Sequence, residues 1–195
     1  APTNDGQVVS VADSIADYAA SLRRLAAAEV GDYYTINISC PNAVGADIFT
    51  VPEALARLVV ALAPIAPTRP VYVKMPINLL WPEFNRLLEV LDRSFVKGVI
   101  IGNLNKDYTS LDGRERPTVF SGGLSGRPCR ALSTTLTRQT REAYGSRFTI
   151  IACGGIMSVT DAREKMTAGA DLLQLVTGLI YRGPGLVKEI CRHGF

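Results

Sequence analysis

Five short runs of aliphatic and β-branched residues, Tyr33–Cys40, Val71–Met75, Gly98–Gly102, Phe148–Cys153 and Leu172–Thr177, alternate with stretches of helical period. Nearly every position in each run is apolar, rather than every second one. Such runs fit strands buried on both faces of a parallel sheet. Between them, Pro52-Glu53 opens Ala54–Ala63, where Leu55, Leu58, Val59 and Leu62 recur at helical spacing. Pro82-Glu83 opens a similar segment carrying Phe84, Leu87, Leu88 and Leu91. Proline suits a first helical turn, where its missing N–H would have no partner. A helix over Val11–Ala28 precedes the first run, and Ser158 or Thr160 caps another through Ala168 that stops at Gly169. Strand and helix in strict alternation build βαβ units with right-handed crossovers.

Parallel strands in this number suit either an open doubly wound sheet or part of an eight-stranded barrel. No G-x-G-x-x-G follows the first run, so the dinucleotide-binding version lacks its signature. Polar and glycine residues gather instead where the runs end: Asn37 to Asn42, Lys74, Gly102-Asn103, Gly154-Gly155 and Thr177-Gly178. In a barrel that end is the active-site face, which favours the barrel. Asn103 to Arg130 is the one long connection, rich in turn formers and charges. A segment of that size in a compact domain is usually a lid or a binding loop.

Composition narrows the function classes. With 47% apolar and 20% charged residues and a formal charge of +3, the 195-residue chain is neither disordered nor a polyanion binder. Residues 105–147 hold the only local excess, eight basic side chains against four acidic ones. That stretch reads as a solvated face, with an anionic small molecule as the second reading. Four cysteines without a C-x-x-C pair signal neither a metal site nor a redox pair, and they suit a reducing cytosol. No leader opens the chain, and no apolar run approaches the roughly 18 residues that span a bilayer. His193, the single histidine, stands third from the end and near no motif, so histidine acid–base chemistry is not expected.

Three places could carry chemistry. In Asn37-Ile38-Ser39-Cys40-Pro41-Asn42, a thiol leaves a buried strand between two amides. It is either a buried structural thiol or a base or nucleophile beside a polar planar ligand. Lys74 interrupts an apolar strand, and a charge there needs an anionic partner: a framework carboxylate, or a cofactor ring or substrate. Cys153-Gly154-Gly155 and Val176-Thr177-Gly178 follow the last two runs, where barrels commonly bind phosphate through backbone N–H groups.

These words together resemble the dihydroorotate dehydrogenases, FMN-dependent barrels of pyrimidine synthesis. The most specific are Asn37–Asn42, Lys74 in Val-Lys-Met-Pro, Gly122-Gly123-Leu124-Ser125-Gly126-Arg127-Pro128, and Ala168-Gly169-Ala170 followed by Leu172–Thr177. The likeness runs from Ala16-Asp17-Tyr18 to Tyr181-Arg182-Gly183-Pro184. It implies that Cys40 is the base that takes the C5 proton of dihydroorotate while hydride passes to the flavin. It places Asn37, Asn42 and Asn103 around the substrate and orotate product. It places Asn37, Lys74, Gly102, Ser125, Gly126, Gly154, Gly155, Val176 and Thr177 around FMN, with no metal.

Departures from the family pattern bear on the electron acceptor. The Gly-Gly-Leu-Ser-Gly-x-Pro word is similar to the quinone-using, membrane-linked class, yet that class usually has serine where Cys40 stands. Gly102 and Leu104 replace common hydroxyl residues, and Val176 an aromatic one. Quinone is the favoured acceptor, with fumarate and NAD open. Members are longer than this chain, so the resemblance implies one partial FMN-binding barrel domain over residues 1–195, roughly strands four to eight of eight. The expected partner is then a missing N-terminal half of the barrel or a second copy, with no nucleic acid. The expected place is the cytoplasm, with a position peripheral to the inner membrane open. Other readings are a dihydropyrimidine dehydrogenase module, a tRNA-dihydrouridine synthase and a non-catalytic phosphate-binding half-barrel.

Overall fold

The computed structural model describes residues 10–40, 46–65, 67–111 and 122–193. Asn42 lies outside them. The chain divides into two compact units, Ala1–Met75 with Leu79–Val99, and Pro76–Asn78 with Ile100–Phe195.

In the first unit, α1 (Val11–Ala27) is capped by Ser10, whose hydroxyl accepts from Asp13 N at 3.1 Å. Its inner face buries Ser14, Tyr18, Ala19 and Leu22. Strands β1 (Tyr34–Asn37) and β2 (Val71–Met75) pair in parallel, with Tyr34 opposite Val71 and Asn37 opposite Lys74. Helices α2 (Pro52–Leu62) and α3 (Trp81–Asp92) both carry proline in the first turn, each after an extended N-cap residue. Leu55, Leu58, Phe84, Leu87, Leu88 and Leu91 are wholly buried, so the predicted helical faces are the packed ones. The Tyr18 and Phe49 rings meet edge to face with centroids 5.7 Å apart.

The next strand is β3 (Gly98–Ile101), and the second unit continues with α4 (Arg130–Tyr144), β4 (Thr149–Cys153), α5 (Val159–Thr167), β5 (Leu172–Gln174), α6 (Thr177–Arg182) and α7 (Gly185–His193). β4 pairs in parallel with β5, Ile151 opposite Leu172. Ser158 caps α5 by accepting from Asp161 N at 3.2 Å. Ile156, Ala162, Leu186 and Ile190 form a small core.

Strand order is β1-β2-β3-β4-β5, the chain order throughout. A doubly wound sheet reverses its order at a switch point, whereas a (β/α)8 barrel never does. The order therefore decides for the barrel.

Two expectations need correction. The last apolar run does not stay extended to Thr177: β5 ends at Gln174 and Thr177 is the first residue of α6. Nor is β5 buried on both faces, since Leu172 is 53% exposed. A short apolar run looks alike in a strand and a helix, and β5, last in the order, has one pairing neighbour.

Candidate active site

In the first unit the site is built at the end of β1. Residues opposite each other in a parallel ladder project to the same face, so the Asn37–Lys74 pairing sets an amide beside an ammonium. The chain then turns sharply. Ser39 N–H donates to Asn37 Oδ1 at 3.3 Å and its hydroxyl to Lys74 O at 3.2 Å. The Tyr18 hydroxyl donates to Asn37 O at 2.5 Å, which holds the strand end from the helix side. Cys40 follows, half-buried and free of any disulfide.

By sequence Tyr18 reads as core, an aromatic at helical spacing on α1, and nothing local marks its hydroxyl as a support of the strand end. Burial first, then negative charge at Cys40 and Asp17, pushes its phenol up to about 12. The hydroxyl therefore keeps its proton and stays a donor to the strand end. Tyr18→Phe removes the donor to a backbone carbonyl, so a loss of about 1–3 kcal/mol is expected in urea unfolding. The sign of the pH effect follows from the raised value. The folded chain holds the phenolic proton more tightly, so wild type loses stability as pH rises from 10 through 12. The phenylalanine variant is expected to lack that loss.

In the second unit, Gly102 follows β3 with φ +133°, and a Cβ there would lie 2.0 Å from Cys153 O. The backbones at the ends of β3 and β4 are thus in direct contact. Asn103, partly buried, accepts from Leu104 N at 3.0 Å.

Beyond it lies an anchor that the sequence reading missed. Asn105, 1% exposed, exchanges two backbone bonds of 2.8 Å with Leu124. Its side chain accepts from Asn78 Nδ2 at 2.6 Å and Asp107 N at 2.8 Å. The sequence offers only an Asn between Leu104 and Lys106, and nothing local marks it as buried.

The glycine-rich words converge. Gly126 is buried, and its missing Cβ would lie 3.0 Å from Thr177 Cγ2, so its turn abuts the start of α6; Ser125 beside it is exposed. The main-chain N–H groups that open α6 receive no cap from the Val176 side chain, which is 60% exposed. Gly155, at φ +76°, has no room for a side chain: its Cβ would fall 2.7 Å from Arg130 Cα. Gly154 packs on Cys129 of the same segment, and burial pushes the Cys129 thiol up from its ordinary value.

Part of the basic excess of residues 105–147 is engaged in ion pairs at the surface. Arg130 pairs with Asp161 at 2.6 Å and Glu164 at 2.5 Å, and Arg141 with Asp171 at 2.7 Å. His193 ends α7, and its carbonyl accepts from Arg163.

Taken separately, the units present an amide–ammonium–thiol group at paired strand ends, and two glycine turns packed against the starts of α4 and α6. An α/β barrel with glycine-rich turns after β4 and before α6 is the class these features define. The dihydroorotate dehydrogenase family model matches residues 6–193, and the chain belongs to that family. It is 35% identical over 193 residues to "Dihydroorotate dehydrogenase (quinone)" of Synechococcus sp. (strain JA-3-3Ab), covering 96% of this chain and 51% of that protein. A protein of the same name from Edwardsiella ictaluri is 40% identical over 169 residues, covering 83% and 50%. A crystal structure of DHODH in complex with ferulenol from Eimeria tenella superposes with a TM-score of 0.84 at 24% identity, covering 98% of this chain and 55% of that one. The ligand-free Eimeria tenella structure gives 0.80 at 23%, covering 98% and 56%. The chain spans about half the length of the relatives it matches. Its fold is α/β, five consecutive βα units of the barrel.

Proposed function

We propose that the chain supplies the C-terminal half of an FMN-dependent oxidoreductase that converts dihydroorotate to orotate in pyrimidine synthesis. The observation that carries this reading is the Asn37–Lys74 pair in register, with Cys40 three residues further on. Bound FMN would supply a ring that accepts hydride, so the protein must remove one proton and hold the substrate still.

Cys40 takes the C5 proton as thiolate, and the C6 hydrogen leaves with its electron pair. A thiol ionises more readily than a serine hydroxyl, which suits a base at neutral pH. Asn37 and Asn103, with Asn42, hydrogen-bond the planar substrate from its edges. Lys74 places positive charge where electron density rises during transfer. Gly102 and Ser125 complete the lining.

The phosphate is the group that the second unit fits. Gly126, Gly154 and Gly155 bring bare backbone against the starts of α4 and α6. Val176 and Thr177 add uncapped N–H donors and a hydroxyl.

The acceptor we assign is a quinone, the one in the relatives' names. Among the described residues no helix is long and apolar enough to cross a membrane. We propose a cytoplasmic protein that meets its quinone pool at a membrane surface, as the acceptor requires.

Anaerobic mixing of the holoenzyme with dihydroorotate tests the reading. Bleaching of the flavin absorbance is expected, with orotate formed in equal amount. A preparation that takes up no FMN, or whose flavin stays oxidised under excess dihydroorotate, overturns it.

A further inference from the structure

Lys165 of α5 is 0% exposed, and no part of the chemistry above uses it. Its ammonium points at the first turn of α4. It donates to Arg130 O at 2.9 Å, to Thr134 Oγ1 at 2.7 Å and to Ser133 Oγ. Three N–H groups thus meet three neutral oxygens, which saturates an ammonium.

The arrangement decides where the Ser133 hydroxyl proton goes. Ser133 Oγ lies 3.4 Å from both Arg130 O and Gly154 O. Lys165 and Thr134 already donate to Arg130 O, the latter at 2.8 Å. With its own lone pair taken by Lys165, Ser133 is left to donate to Gly154 O. The neighbouring Gly155 sits on the same turn of α4, where its missing Cβ would lie 2.9 Å from Arg130 N.

We propose that Lys165 is a positioning residue for phosphate recognition: through Ser133 it sets how the Gly154-Gly155 turn presents its backbone N–H groups. The inference rests on the reading that this turn holds the FMN phosphate.

Protonation enters because the amine has one donor fewer than the ammonium. Burial, the largest influence, lowers the Lys165 ammonium to about 8. Glu164 on its own helix and the Cys153 and Cys129 thiols act to raise it, and the Arg130 guanidinium acts to lower it. Loss of the proton near that pH leaves one of the three oxygens without its partner and frees the Ser133 proton to turn away from Gly154.

Two measurements on the whole chain test this. First, Gly154 and Gly155 amide resonances are expected to titrate with a midpoint near pH 8 in wild type. The same resonances should stay flat in Lys165→Met and in Ser133→Ala, the latter being the variant that keeps the Lys165 bonds to Arg130 and Thr134. Second, Ser133→Ala is expected to weaken FMN binding about tenfold, as for one hydrogen bond to a phosphate-bearing turn, and to leave riboflavin binding unchanged. Glycine resonances that titrate alike in wild type and variants overturn the proposal. So does a folded Ser133→Ala chain that binds FMN as wild type does. A wild-type chain that binds no FMN overturns the phosphate reading instead, and the glycine titration then still decides whether Lys165 governs the turn.

Discussion

Cys40→Ala is expected to slow flavin reduction by dihydroorotate about 10²- to 10⁴-fold, the range for loss of a general base. FMN content is expected to stay unchanged, because the proposed phosphate contacts all lie in the second unit. The thiol sits just past a turn held by Asn37, Ser39 and the Tyr18 hydroxyl, and alanine there leaves those hydrogen bonds in place. Cys40→Ser separates the base from the shape of the side chain. A serine hydroxyl ionises far less readily than a thiol, so the pH–rate profile is expected to move alkaline. Single-turnover reduction followed across pH in the holoenzyme reads both effects. Unchanged reduction in Cys40→Ala, or a profile that stays in place in Cys40→Ser, removes Cys40 from the base role.

Gly102→Ala carries the largest expected cost in stability. Its Cβ would stand 2.0 Å from Cys153 O and 2.6 Å from Cys153 C, both main-chain atoms that no rotamer change can move. Its φ of +133° adds strain for any residue with a side chain. Overpacking costs about 1–3 kcal/mol and the backbone conformation about 1–2 more. For a chain of this size that corresponds to a drop of roughly 10 °C in Tm. Gly185→Ala is the control, with nothing within 4 Å of the added methyl, and it should shift Tm little. Equal melting of the two variants would mean that the ends of β3 and β4 do not touch as described.

The first unit was largely legible in the sequence because its helices bury leucine and phenylalanine at helical spacing. Leu55, Leu58, Phe84, Leu87 and Leu91 announce α2 and α3 without any tertiary knowledge. Helix α4 is silent by the same test. Its inner face is Ser133, Thr134, Thr137 and Thr140, with Leu136 the only aliphatic buried side chain. Three of those four hydroxyls have partners: Thr140 donates to Leu136 O at 2.7 Å, and Ser133 and Thr134 accept from Lys165, whereas Thr137 Oγ1 is buried without one among the described residues. A pattern rule that equates polar with exposed cannot see such a face.

The candidate site shows the same division. Cys40, Lys74 and the glycine pair stand out by type and position along the chain. Asn105, Tyr18 and Lys165 act through partners 19 to 35 residues away, as Tyr18 with Asn37 and Lys165 with Arg130, and no local word records that.

The paired backbones of Asn105 and Leu124 have a consequence for how this family can diversify. Two hydrogen bonds tie the mouth of the intervening stretch, so the ends meet whatever lies between them. Doubling the length of a tethered loop costs only about 0.6 kcal/mol in closure entropy. Insertions, deletions and rewritten charge can therefore accumulate between positions 105 and 124 while Asn103 on one side and Gly126 on the other keep their places.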